Sequence, residues 1–102
     1  MTMKEWFADN VEQIVQIAGT FKEVKDISYN SAKTNIQIRL KSGSKISLES
    51  YKISKNKEFG FDVFLLREGD LYPTFIYRTG PSIGQVTTGI ELAIIKDSPM
   101  GQ

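Results

Sequence analysis

The chain contains no cysteine and no histidine. Without thiols there is no disulfide, zinc–thiolate or iron–sulfur chemistry, which fits a reducing cellular compartment. Without imidazole there is no Ser-His-Asp triad, no Cys-His pair and no His-ligated zinc. The side chain that titrates nearest neutrality is also missing. Only carboxylate, lysine or tyrosine chemistry, or a magnesium site, remains for catalysis. Long apolar runs are absent as well: none approaches the roughly 20 residues that span a bilayer. The opening stretch MTMKEWFADN lacks the basic-then-apolar order of a secretory signal. The expected setting is cytoplasmic, with no membrane association and no cofactor. Net charge is nearly absent too, at +1.

What is present describes an ordinary folded domain. At 102 residues with 40% apolar and 25% charged side chains, the chain is neither disordered nor fibrous. Residues 1–102 read as a single domain, large enough to bury roughly 60% of its unfolded surface. No repeat, linker or low-complexity tract divides it.

Residues Thr2 to Ala18 predict a helix. Phe7, Val11, Ile14, Val15 and Ala18 recur at 3.6 spacing, widened by Trp6 and Ile17. Thr2 with Glu5 three positions later forms a capping-box pattern, and Gly19 stands where a C′ glycine ends a helix. Trp6, at the first turn, is read as core or as half exposed. Beyond Gly19 the period becomes two. Strands are expected at Phe21–Tyr29, at Thr34–Lys41 with Ile36, Ile38 and Leu40 inward, and at Lys45–Ile53 after the Ser42–Ser44 loop. A parity change at Tyr51 and Ile53 predicts a bulge or bend near Ser50. Phe59–Leu66 is apolar on both faces late in its course and reads as central or covered on both sides. Leu71–Arg78 is its hairpin partner, and Pro73 makes it an edge strand or a bulged one. Residues 85–96 carry two patterns. Val86, Thr88, Ile90, Leu92 and Ile94 alternate and are mostly β-branched, which favours a strand. Ile83, Val86, Ile90 and Ile94 equally suit a helix, with Thr88 and Glu91 as a cap. DSPMGQ reads as a frayed tail. The expected architecture is α+β, an N-terminal helix packed on an antiparallel sheet of five or six strands. The alternative is a sheet that curls toward a small barrel.

Charge is segregated along the chain. Residues 33–57 hold Lys33, Arg39, Lys41, Lys45, Lys52, Lys55 and Lys57 against Glu49 alone, a net of +6, while residues 1–32 carry −2 and 58–102 carry −3. Such a segment suits phosphate or an acidic partner, and it equally suits a strand edge kept wet by lysine. The near-neutral total and the single aromatic, Tyr51, within it argue against a stacking platform for nucleic acid. GPSIGQVTTG lacks the lysine of a phosphate loop and reads as a turn. Asp62, Glu68 and Asp70 flank one hairpin without the spacing of a cation loop. Tyr72, Tyr77 and Arg78 beside the proline-bearing strand form the best candidate protein-contact patch, being of types enriched at hot spots.

The expectation is a non-catalytic protein-interaction module with a protein partner or self-association. Lysine, asparagine and isoleucine usage suggests an AT-rich bacterial or phage genome. The class therefore includes a phage-encoded inhibitor of a host enzyme or defence complex, or a virion component. The alternative expectation is a nucleic-acid-binding domain using the basic 33–57 hairpin.

Overall fold

In a computed structural model, which describes residues 1–32 and 34–98, α1 spans Met3–Gly19. Its N-terminus is closed reciprocally. The Thr2 N–H donates to Glu5 Oε1 (2.8 Å) and the Glu5 N–H donates to Thr2 Oγ1 (3.2 Å). Two of the helix's orphan donors are thereby satisfied. Gly19 is the last helical residue rather than a left-handed cap. Thr20 closes the helix in the right-handed region, its N–H and hydroxyl both reaching the Ile17 carbonyl. Met3, Trp6, Phe7, Val11, Ile14 and Ala18 form the buried stripe, so Trp6 belongs to the core.

Five strands follow as a meander: β1 Val24–Tyr29, β2 Asn35–Leu40, β3 Lys45–Ile53, β4 Glu58–Leu66 and β5 Thr74–Arg78. They pair antiparallel in sequence order in one sheet. The sheet is open, with β1 and β5 as its borders, so the barrel alternative does not occur. β1 begins three residues later than the periodicity suggests, because Phe21 to Glu23 form a turn in which the Val24 N–H reaches the Phe21 carbonyl (3.1 Å). β5 begins immediately after Pro73, which cannot donate to the ladder.

Alternation decides the two faces. Ile36 and Ile38 stand opposite Leu48 and Ile46, which stand opposite Val63 and Leu65. With Leu40 and Phe61 these residues are buried under α1 and the C-terminal helix. The Phe7 ring lies 6.0 Å from that of Phe61, and Trp6 lies 6.1 Å from it. The other sheet face carries Gln37, Arg39, Lys45, Ser47, Glu49, Tyr51 and Asp62, and no described element covers it.

Residues 83–97 correct the strand expectation. They form a second helix, α2, Ile83–Asp97. Val86, Gly89, Ile90, Ala93 and Ile94 are buried, whereas Thr88 and Leu92, which a strand would put on the same face as Ile90, are exposed. Ser82, not Thr88, caps the helix: the Gln85 N–H donates to Ser82 Oγ (3.4 Å). The threonine hydroxyls donate back to helix carbonyls, Thr87 to Ile83 (2.8 Å) and Thr88 to Gly84 (3.0 Å). Local β propensity is thus outweighed by an apolar stripe that covers, beside α1, the β4–β5 part of the same sheet face. α2 sits close to the strands at Gly89, where a Cβ would approach Val63 Cγ2 to 2.8 Å.

The bulge expected near Ser50 is also corrected. β3 pairs with β4 without interruption from Lys45↔Leu66 to Ile53↔Glu58. The bulges lie instead at the borders, where Lys25 on β1 and Ile76 on β5 are the unmatched residues. Tyr51 and Ile53 simply face the bare side.

The chain leaves β5 through Thr79, which is fully buried and fully bonded. Its N–H donates to the Phe61 carbonyl (2.8 Å), its Oγ1 accepts from the Phe61 N–H (3.2 Å) and donates to the Gly80 carbonyl (2.8 Å). The Thr79 carbonyl occupies the space of a side chain at Gly60, where a Cβ would sit 2.0 Å from the oxygen. Gly60→Ala is expected to lower stability by about 2–4 kcal/mol, since backbone rather than a flexible side chain must move. Gly19→Ala meets nothing within 4 Å and is expected to raise it by up to about 1 kcal/mol. Urea midpoints of the two variants check both signs; equal shifts would contradict the crossing described.

Candidate functional site

The basic residues do not form one surface. Arg39 and Lys45 are register partners on the bare face, and Lys41 begins the turn between β2 and β3. Lys52, Lys55 and Lys57 lie at the other end of β3, separated by that nine-residue strand, roughly 26 Å at about 3.3 Å per residue. There Lys57 takes a left-handed conformation (φ 57°) in the tight turn into β4. Lys33 lies outside the described residues.

The end at the β2–β3 turn meets acids brought from elsewhere in the chain. Arg39 donates through Nε and Nη2 to the two carboxylate oxygens of Asp26 (2.8 and 2.7 Å). That bidentate bond holds the Asp26 carboxyl below its ordinary range and raises the guanidinium. The pair borders a groove of about 520 Å³ that Lys25 and Lys45 also line. At the β2–β3 turn, the Ser42 hydroxyl donates to Asp97 Oδ2 (2.8 Å) and the buried Ser44 hydroxyl donates to Asp97 Oδ1. The Glu68 carboxylate lies against Gly43. The +6 segment is therefore matched in space by acids of the two negative segments, at least at this end.

The three residues of the expected protein-contact patch separate as well. Tyr72 is 80% exposed in the loop leading into β5. Tyr77 turns inward: it pairs with Val63 and packs beneath α2 at Gly89. Arg78 faces the bare side, donating to both oxygens of Asp62 (2.6 and 2.9 Å), with its guanidinium carbon 4.0 Å over the Tyr51 ring. The bond to Asp62 raises the guanidinium further. The Tyr51 hydroxyl donates to the Thr79 carbonyl (2.9 Å), and burial raises its pKa. Arg78 is thus a bracing residue, holding β3, β4 and β5 together across the bare face.

In place of that patch, the β5 border exposes a set the periodicity did not single out. Leu71 is 88% exposed, Phe75 53%, Leu92 39% and Ile95 54%. Phe75, Ile76, Leu92 and Ile95 line a groove of about 730 Å³ between β5 and the last turns of α2, with Arg67 and Lys96 also lining it. Arg67 Nη2 donates to the Lys96 carbonyl and fastens the helix end there. Phe75 is braced by Phe64, ring centroids 5.7 Å apart and edge-on. Leu92 and Ile95 are one helical turn apart, outside the buried stripe, so reading this stretch as a strand concealed them.

The carboxylates considered for magnesium do not converge. Asp62 is held by Arg78, Asp70 accepts the Arg67 N–H (3.1 Å) and Glu68 lies at Gly43. Among the described residues no group of three acidic, histidine or cysteine side chains is placed to hold a metal ion. No helix among them is long and apolar enough to cross a membrane. Comparison with protein-family models, curated proteins and solved structures finds no match.

The Arg39–Asp26 pair has a pH signature. Because the native carboxyl titrates below its unfolded value, its stabilisation is complete above the unfolded pKa and is lost as pH falls through the native one. The melting temperature of the parent should exceed that of Asp26→Asn at about pH 7, and the gap should narrow steadily as the solution is acidified below the ordinary carboxylate range. A gap unchanged over that range would contradict the pairing.

Proposed function

We propose that the chain is a non-catalytic protein-interaction module that docks through the border made by β5, the loop before it and the outer side of α2. The observation that carries this reading is the exposed apolar set Leu71, Tyr72, Phe75, Leu92 and Ile95. Together these expose about three whole side chains' worth of surface, roughly 600 Å² at about 200 Å² each. Water contact with such a surface is unfavourable, and an aromatic and aliphatic cluster of this kind is the usual anchor of an interface. An inhibitor of a host enzyme or defence complex and a virion component both act by stoichiometric docking of this sort.

The nucleic-acid reading draws less support. The lysines sit at two ends of β3, and Arg39 is already bound to a carboxylate. Retention of DNA or RNA by the protein should be weak and unaltered by Lys41→Glu with Lys45→Glu. A steep loss of binding with salt that this double variant abolishes would favour nucleic acid instead.

The docking reading is tested by recovering the protein from its own cell with whatever it binds and repeating this with Tyr72→Ser and Phe75→Ser. A stoichiometric protein partner, of any identity, should be present with the parent and lost with the variants. Their thermal unfolding should change little, as these side chains are exposed. A chain that is strictly monomeric and partnerless contradicts the reading.

A further inference from the structure

We propose a binding site for a small amphiphilic anion, a fatty-acid-type molecule with one alkyl chain, in the hollow between the start of α1 and the β3–β4 hairpin. It lies at the opposite end of β3 from the Asp97 clasp and stands independently of the docking reading.

The hollow arises because the sheet outruns the helix. Uninterrupted pairing puts Ser50 and Lys52 on the inner row of Ile46 and Leu48, and Phe59 on that of Phe61 and Val63. Along β3 this row changes from aliphatic to hydroxyl and amine where the helix cover ends. Met3 is the first buried residue of α1, and Trp6 and Phe7 already stand over Phe61. Phe59, opposite Lys52 and one inner pair further out, is only half buried. Ser50 leaves unfilled the space a larger side chain of the row would take. Met1, Met3, Ser50 and Phe59 line the resulting groove of about 770 Å³, a size within the roughly 300–1,000 Å³ of small-ligand sites. Methionine is unbranched and adapts to irregular shapes, which suits an alkyl chain.

Charge selects the head group. Lys4, Lys52 and Lys57 line the same groove, and among the described residues no carboxylate does. The acids nearest in the chain are directed elsewhere. Glu49 and Glu58 adjoin Ser50 and Phe59 and so alternate to the bare face. The Glu5 carboxylate accepts the Thr2 N–H. The ion pairs of the described residues, Arg39–Asp26 and Arg78–Asp62, involve none of these lysines. Three ammonium groups around one apolar hollow favour an anion over a neutral or cationic ligand.

Shape favours a free molecule over a larger partner. The floor is recessed, with Met3 buried and Phe59 half buried, whereas insertion into a lipid surface uses an apolar face that projects. The lysines ring a hollow and do not form the track with exposed stacking aromatics that a single nucleic-acid strand follows.

The test is titration of the full chain with dodecanoate, kept below its micelle concentration and followed by backbone-amide NMR. The expected result is one-to-one binding with shifts concentrated at Met3, Lys4, Ser50, Lys52 and Phe59. Dodecyltrimethylammonium, with the same tail and the opposite charge, should bind at least about ten-fold more weakly, and acetate should not bind. Lys52→Glu with Lys57→Glu should weaken dodecanoate at least about ten-fold, and Ser50→Leu, which fills the hollow, should do the same. Circular dichroism melts establish that the variants are folded. Weakened binding in either folded variant supports the site, and unaltered binding in both overturns it. Equal binding of the two amphiphiles, or shifts confined to the β5–α2 border, also overturns it. So does binding of anionic phospholipid vesicles or of a polyglutamate peptide with none of dodecanoate. Each of these failures leaves the docking reading standing, since that is tested by capture of a partner through Tyr72 and Phe75.

Discussion

The architecture depends on one close approach, that of the Thr79 carbonyl to the bare backbone of Gly60. Only a residue without a side chain on β4 lets the chain leaving β5 lie so near. That proximity lets Thr79 satisfy both backbone groups of Phe61 while its own polar atoms are withdrawn from water, where an unmet donor or acceptor would cost about 1–3 kcal/mol. From there the chain enters α2 directly beneath the strands it has just left. α2 then covers Val63 and Tyr77, and its outer side falls beside β5. The same carbonyl accepts the Tyr51 hydroxyl, so the crossing also fixes the ring over which Arg78 lies. One absent methyl group thus connects the core, the bracing stack and the apolar border.

The electrostatics follow a related logic. A segment that looks like a polycation in sequence is partly neutralised within the fold. Arg39 is taken by Asp26, and the turn after it is approached by Asp97 and Glu68. Linear charge blocks report on a surface only when the fold leaves them together. Here an antiparallel meander brings segments of opposite sign side by side at one end and sends the remaining lysines to the other.

Much of the fold was legible because period and punctuation agreed. α1 had its capping box and its stripe; β3 ran between the expected bounds Lys45 and Ile53, though without the bend its parity change implied; Pro73 pointed to a border strand. α2 was not legible from alternation, because threonine and isoleucine satisfy both periods. The signal that distinguishes them is Ser82 followed by Gln85, the spacing of a capping box, although Gln85 in fact reaches back to the Gly80 N–H. The candidate site failed in one identifiable step. Strict alternation puts Tyr77 on the face of Phe75. The extra residue Ile76 rotates the strand, sending Tyr77 to the core and Arg78 outward. Tyr72, lying before that bulge in a loop, was unaffected and is exposed as its position implied.

The clasp between the β2–β3 turn and Asp97 bears on how the molecule comes into being. Ser42 and Asp97 are 55 positions apart, and α2 is the last described element to leave a ribosome. Until it does, Val63, Tyr77 and Thr79 face solvent and the hairpin turn has no anchor. A nascent chain therefore holds a half-lined sheet with its greasy side open, and only completion of the final helix converts it into a sealed, cooperative unit.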